Sequence, residues 1–169
     1  MFYFPFYMAS QDQQKLTDPG KAATLLTIIV CALVMGCLMF GGFVVFQGAF
    51  NQPAKEMQLS LMAAGMAVTN TIMAFVIPPF IVKAVTRNSD CDRPTYLQAY
   101  MTKTIVAVAL LEGATFFVLF TVMTEHHWWS LAIAALLVGF MLIHIPSRMR
   151  IEQWLDENGC EDQGPAPDQ

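Results

Sequence analysis

Residues 104–123 read TIVAVALLEGATFFVLFTVM, a run in which Glu112 is the one ionisable side chain. An α-helix rises about 1.5 Å per residue, so this run is long enough to cross the roughly 30 Å hydrocarbon core of a lipid bilayer. The backbone inside a bilayer has to satisfy its own hydrogen bonds, and a single segment achieves this as a helix. The run therefore predicts a transmembrane helix that carries a carboxyl group.

Three further segments have the same apolar character. Of the 169 residues in the chain, 56% are hydrophobic and 13% are charged, against about half and about a quarter in ordinary soluble domains. We therefore predict an all-α integral membrane protein whose four-helix transmembrane domain occupies residues 21–147. The other predicted spans are residues 22–46, 59–82 and 128–145, the last of which is short and must run nearly upright.

The segments on either side of this domain differ from it in composition. Residues 1–20 are aromatic and polar, which favours either a position at the level of the lipid headgroups or a disordered tail. Residues 148–159 place apolar side chains at helical spacing and predict a short amphipathic helix at the membrane surface. Residues 160–169 are acidic and contain proline, and they predict a disordered tail.

The basic residues are distributed unevenly about the predicted spans. With both termini in the cytoplasm, eight of the nine lysines and arginines lie on the cytoplasmic side and Lys55 lies on the other side. Cytoplasmic loops of membrane proteins carry an excess of basic residues, so the N and C termini are both predicted to be cytoplasmic. The net charge of −4 comes largely from the segment after Arg150, so we expect no nucleic-acid partner.

The first and third predicted spans are similar in sequence. Sliding residues 27–46 onto residues 104–123 makes eight of twenty positions identical. This similarity predicts a parallel repeat of two tandem helical hairpins. Each copy carries a pair of small residues one turn apart, which lets a neighbouring helix approach closely and predicts helix packing there. The four small residues are Ala32, Gly36, Ala109 and Gly113.

Glu112 is the first candidate for a functional residue. A charge at its predicted depth costs about 3 kcal/mol on insertion scales, so the neutral form is favoured. One interpretation is a carboxyl that takes up and releases a proton or binds a sodium ion, and the other is a neutral group that hydrogen-bonds to another helix. Asn70 in the second span lies about 6 Å deeper, within reach of a tilted helix and two long side chains, and we predict that it joins Glu112 in the candidate ion-binding site.

The remaining polar residues predict less chemistry. Glu125, His126 and His127 are adjacent on a short turn, where side chains diverge, so we predict no metal site. His144, near the end of the fourth span, is either a proton-relay partner for Glu112 or a residue that reaches toward water. The sequence contains no nucleotide-binding or hydrolase motif, so we expect neither a cofactor nor an enzymatic activity.

The stretch RPTYLQAYMTKTIVAVALLEGATFFVLF, residues 93–120, resembles the cytoplasmic loop and second helix of the F-type ATP synthase c subunit. In that family an Arg-x-Pro loop precedes an ion-binding carboxylate flanked by small residues, and here Pro94 precedes Glu112 by 18 residues. The resemblance implies that Glu112 binds the transported ion. The sequence departs from the family because Arg93 abuts Pro94 and the second span lacks a run of alternating glycines.

The motif ALLEG, residues 109–113, is also similar to a motif in four-span bacterial membrane proteins. This resemblance implies a location in a bacterial inner membrane. Two functions remain open from the sequence. One is a small proton- or sodium-responsive transport component with Glu112 as the switchable group. The other is a structural or assembly protein that docks on a larger membrane complex or on further copies of itself, with Glu112 as a neutral hydrogen-bonding group.

Overall fold

The computed structural model describes residues 18–48, 53, 55–87 and 93–158. Within these residues the chain forms five α-helices and no strand, so the all-α prediction is confirmed. Residues 1–17 of the predicted N-terminal segment and the predicted tail, residues 160–169, lie outside the described residues. The helices are α1 (Pro19–Phe46), α2 (Gln58–Thr86), α3 (Arg93–Glu125), α4 (Trp128–Ile143) and α5 (Arg148–Glu157).

Three of the helices, α1, α2 and α3, are long and apolar enough to cross a membrane. α4 has 16 residues and passes this test only together with α5, from which it is bent by 66°. Pro146 explains the break, because a proline lacks the N–H for helical bonding and restricts the residue before it to extended conformations. The described chain therefore has three candidate spans, or four when α4 and α5 count as one broken span.

Local side chains cap two of the helices. Asp18 accepts a hydrogen bond from the N–H of Gly20 at 2.9 Å, and Pro19 occupies the first position of α1. At the start of α5, the hydroxyl of Ser147 accepts a hydrogen bond from a backbone N–H one turn later. α2 has no capping side chain of its own, because its N-cap residue is Met57. The first N–H groups of α2 therefore need an acceptor from elsewhere in the chain.

α2 contains two consecutive prolines and continues through them as a helix to Thr86. Pro78 and Pro79 have no N–H, so the carbonyl groups of Ala74 and Phe75, one turn earlier, receive no helical hydrogen bond from them. These two carbonyl oxygens are free to accept hydrogen bonds from other groups.

α3 lies at the centre of the bundle. Half of the residues in the apolar 18-residue segment of α3 are buried, against 22% in the corresponding segments of α1 and α2. α3 also contacts each of the other four helices. α1 runs parallel to α3, because Gly41 lies near Leu119 and Val44 clusters with Val122 further along both helices. In the alignment of the predicted repeat, Val122 is paired with Val45, the residue next to Val44. The repeat itself stays a prediction.

The first of the two predicted hairpins does not form as a packed pair. α1 packs on α3, α4 and α5, whereas α2 packs on α3 and α4. α2 uses a row of small residues for this contact, so α1 meets α3 elsewhere on its surface. The second predicted hairpin, α3 with α4, is packed. The small buried residues of α2 are Ser60, Ala63, Ala67 and Ala74.

Large side chains of α2 lie on the outside of the bundle. Its buried residues are all small, whereas Met62 is 67% exposed and Phe80 is 68% exposed. α1 likewise exposes Met39 and Phe46. Soluble monomers rarely expose a continuous apolar patch of this extent. The outside of the described helices is therefore a broad apolar surface.

The two ends of the bundle bring different elements together. At the first, here called the Lys103 end, the starts of α1 and α3 share a buried cluster with α5 that includes Leu26, Leu97 and Leu155. The opposite end, here called the Glu125 end, holds the start of α2 and the turn between α3 and α4. α1 and α3 therefore begin at the same end of the bundle.

Candidate functional site

Glu112 lies half-buried on the side of α3 that faces α1. It is close enough to Cys37 for its charge to act on that thiol. One turn further along α3, the ring of Phe116 lies 5.6 Å from the ring of Phe40, and its Cζ lies 3.8 Å from the position that a Cβ on Gly36 would take. No hydrogen bond or ion pair is formed by Glu112 within the described part of the chain.

Asn70 lies half-buried on α2, and no hydrogen bond joins it to Glu112. The threonines on either side of Asn70 donate to their own helix, Thr69 to the carbonyl of Gly65 at 2.9 Å and Thr71 to the carbonyl of Ala67 at 2.7 Å. The two members of the candidate ion-binding site therefore lie on different helices without a direct bond between them.

The small residues predicted to pack are divided between an interface and the surface. Gly36 lies in the contact between α1 and α3. Ala32, Ala109 and Gly113 are exposed, and a Cβ on Gly113 would meet nothing within 4 Å. Within this chain these three residues therefore do not bring helices together. They remain accessible to a helix from outside the chain.

Glu125 supplies the acceptor that the start of α2 lacks. Its carboxylate oxygens accept hydrogen bonds from the N–H groups of Leu59 and Ser60, both at 2.7 Å, and its side chain is only 5% exposed. Its backbone carbonyl also accepts from the N–H of Lys55 at 3.1 Å. An anion at a helix N-terminus is stabilised by the unpaired N–H groups and by the helix dipole. Glu125 therefore ties the end of α3 to the start of α2.

The turn after Glu125 joins α3 to α4. His126 has a left-handed backbone conformation, with φ of 60°, which reverses the chain between α3 and α4. Within the described residues, no three His, Cys, Asp or Glu side chains are arranged to hold a metal ion.

A cavity of about 550 Å³ lies at the Lys103 end, between α2, α3 and the corner formed by α4 and α5. The ammonium of Lys103 lies 4.3 Å from the ring centroid of Tyr100 and 4.1 Å from that of Trp154. These are cation–π contacts, which hold the ammonium over two adjacent aromatic rings. Trp154 comes from α5, so the contacts also fix α5 against α3.

Two further basic residues line this cavity, His144 and Arg150. Nδ1 of His144 lies 2.8 Å from the carbonyl of Phe140, and the guanidinium of Arg150 donates to the carbonyl of Ile143 at 3.3 Å. None of the described residues that line the cavity is acidic. The cavity therefore carries a concentration of positive charge.

Arg148 of α5 differs from Arg150 in having a carboxylate partner. Its Nε donates to Oε1 of Glu152 at 2.7 Å, and this hydrogen bond and the adjacent negative charge raise the pKa of the Arg148 guanidinium. Arg148 does not line the cavity. Its charge is balanced locally, whereas Lys103 and Arg150 face the cavity without a carboxylate among the described residues.

The sequence reasoning missed both Glu125 as a cap and the cavity at Lys103. A signal for the cap was present, because the start of α2 has no Ser, Thr, Asp or Asn at its N-cap and so requires an external acceptor. The signal for the cavity was weaker. Lys103 and Trp154 each suit a membrane interface, and their pairing depends on how α5 folds back onto α3.

Comparisons of the chain with protein-family models, with curated proteins and with solved structures each found no match. A proposal for the function of the chain therefore depends on its residues and their geometry.

Proposed function

We propose that the chain is an integral membrane protein whose helices cross a lipid bilayer, with α4 as its fourth span and α5 at the membrane surface. The broad apolar surface supports this proposal, because lipid tails surround exposed side chains such as Met39 and Phe80 without the cost that water imposes. Small residues at the contact of α2 with α3, such as Ala63 and Ala67, are typical of helix packing in membranes.

The proposed orientation places the Lys103 end in the cytoplasm of a bacterial cell, at the inner membrane. Eight of the nine lysines and arginines then lie on the cytoplasmic side. The starts of α1 and α3 and the helix α5 lie at one end of the bundle, which supports this arrangement. The chain then crosses the membrane twice between the start of α1 and the start of α3, and twice between the start of α3 and α5.

Within the membrane, the proposed role is structural: the chain docks on other transmembrane helices as part of a larger complex. The observation that carries this role is the half-buried carboxyl of Glu112, which has no hydrogen-bond partner within the described chain. A polar group without a partner in lipid is costly, and a helix that brings a hydrogen-bonding group removes that cost. Ala109 and Gly113 are exposed beside Glu112 and permit such a helix to approach closely.

A proton- or sodium-responsive transport role has less support from the geometry. A bound ion exchanges its hydration shell for several oxygen ligands. None of the described residues, Asn70 included, forms a hydrogen bond with the side chain of Glu112. Transport is the alternative that the following experiment distinguishes.

Two substitutions of Glu112 separate the two roles. A glutamine still forms hydrogen bonds, so we expect Glu112→Gln to keep the complex and Glu112→Leu to lose most of it. The measurement is native electrophoresis of the tagged protein after its membranes are dissolved in a mild detergent. Thr69→Val, which removes an exposed hydroxyl that already donates to its own helix, is the control and should leave the size of the complex unchanged.

A complex of unchanged size with Glu112→Leu would contradict the assembly role. Labelling by a membrane-soluble carbodiimide, which reacts with protonated carboxyls in apolar surroundings, then tests the alternative. Labelling of Glu112 that falls with rising pH or that sodium blocks would favour transport, with Glu112→Gln as the blank.

A further inference from the structure

The cavity at the Lys103 end has one charged wall and one apolar wall. Lys103 of α3 and Arg150 of α5 contribute the positive charge, and His144 at the end of α4 lies on the same wall. Facing residues of α2, among them Phe75 and Pro78, are apolar. A ligand that fills both halves has to be an amphiphile with a negative group.

The ammonium group of Lys103 is available to bind an anion. It lies over the adjacent rings of Tyr100 and Trp154, and none of the described residues forms an ion pair with it. Aromatic faces attract the cation but do not neutralise it, and an ammonium has three N–H donors to share. Donor capacity therefore remains for a negatively charged oxygen.

Arg150 adds a second source of donors at the mouth of the cavity. Its Nη1 donates to the carbonyl of Ile143, and a guanidinium has five N–H donors in a planar fork that suits phosphate oxygens. Its neighbour Arg148 is paired with Glu152 and does not line the cavity, whereas Arg150 lines the cavity and has no carboxylate beside it among the described lining residues.

We propose that this cavity binds a phosphate-bearing anion, with the phosphate against Lys103 and Arg150 and the apolar part against Phe75 and Pro78. An anionic phospholipid fits all of these features. Lys103 immediately precedes the apolar run at residues 104–123, which is the depth of the lipid headgroups. The lipid form of the proposal rests on the membrane insertion proposed above, whereas the phosphate chemistry does not.

Native mass spectrometry of the full chain in detergent tests the proposal. The protein is titrated with phosphatidylglycerol and, in parallel, with phosphatidylcholine of the same acyl chains. We expect phosphatidylglycerol to be retained in preference, and Lys103→Gln and Arg150→Gln each to weaken its binding about five-fold, the effect of one basic residue near an anionic lipid. Arg148→Gln is the matched control and should change binding little, because Arg148 lies outside the cavity.

Arg150→Gln protects the test against a folding defect, because Arg150 is exposed whereas Lys103 contributes to packing. Equal retention of the two lipids, or unchanged binding in both cavity variants, would overturn the proposal. A second titration with inorganic phosphate distinguishes the source: stabilisation by phosphate alone, lost in the cavity variants, would assign the site to a soluble phosphate compound. Extraction of the protein from membranes by alkaline carbonate would refute the membrane insertion and leave the phosphate result valid.

Discussion

The carboxylate of Glu125 fills, from the end of α3, the place that a serine or aspartate usually takes within a helix. Two N–H groups of α2 donate to it at 2.7 Å, and it is almost fully buried. Hydrogen bonds to a charged acceptor are shorter and stronger than those between neutral groups. A single side chain therefore links two helices at the Glu125 end.

Removing this carboxylate should destabilise the bundle. We expect Glu125→Ala to lower the free energy of unfolding by about 1 to 3 kcal/mol, because the buried N–H of Ser60 and the partly buried N–H of Leu59 lose their acceptor. Glu125→Gln keeps one acceptor oxygen and should cost less. Thermal unfolding of the detergent-solubilised protein measures the change.

Glu56→Ala is the control for this prediction. Glu56 is an exposed carboxylate at the same end of the bundle, and its side chain accepts no hydrogen bond from α2 in the described chain. Equal effects of Glu125→Ala and Glu56→Ala would show that Glu125 does not act as a cap.

The sequence distinguished the two carboxylates only in part. Glu112 stands out in the sequence because apolar residues surround it, and in the structure it lies half-buried on α3. In the sequence, Glu125 is distinguished only by the two histidines that follow it on the turn. Its partner, Ser60, is 65 residues away in the chain, and local spacing cannot show a contact of that range.

Among the helices, α2 shows most clearly how the bundle is packed. Its contact with α3 uses small side chains, and its large side chains point to the outside. Close approach of the two backbones yields many weak dispersion contacts, which are the main attraction between helices in lipid. The contact is therefore sensitive to any increase in side-chain volume.

A larger residue in this row should separate the two helices. We expect Ala67→Leu to destabilise the protein by about 1 to 3 kcal/mol, the usual cost of overpacking a tight interface. Ala67 is only 3% exposed. Thermal unfolding in detergent, followed by the reactivity of the buried Cys37 thiol, measures the loss.

Met66→Leu is the control in the adjacent position, because Met66 is exposed on the outside of α2. An unchanged unfolding temperature for Ala67→Leu would mean that the α2–α3 contact tolerates extra volume and is not tightly packed.

Helix bounds were easier to predict than helix partners. Apolar runs place α1 and α2 within a few residues of their observed ends, because length and composition determine a span. α3 begins at Arg93, well before the predicted span at residue 104, because its first turns are amphipathic and pack on α5 instead of continuing the apolar run. Helices that are apolar on all sides do not reveal which face meets which neighbour, so the absence of an α1–α2 pair could not be predicted.

At the scale of the whole molecule, the proposed orientation can be tested by chemical labelling. In a chain whose four cysteines are replaced, a cysteine at Lys55 should react with a membrane-impermeant maleimide on intact cells stripped of their outer membrane. A cysteine at Glu157 on α5 should react only after the inner membrane is opened. The reverse pattern would show that the chain has the opposite orientation.

The cavity at the Lys103 end belongs to this scale because no single element contains it. Its charged residues come from α3 and α5, His144 comes from the end of α4, and its apolar wall comes from α2. In the sequence, each of these lining residues taken alone is typical of a membrane boundary. Only the 66° bend between α4 and α5 brings Arg150 and Trp154 back toward Lys103.

The shortness of α4 has a consequence for the lipid around the protein. Its 16 residues reach about 24 Å, whereas a bilayer core is about 30 Å thick and α1, α2 and α3 are all longer than that thickness. In the proposed bilayer the lipid is therefore compressed on the flank of α4 and relaxed elsewhere, at a cost of fractions of a kcal/mol for each Å of mismatch. The protein should favour thin membranes and gather lipids with short tails at the corner of α4 and α5.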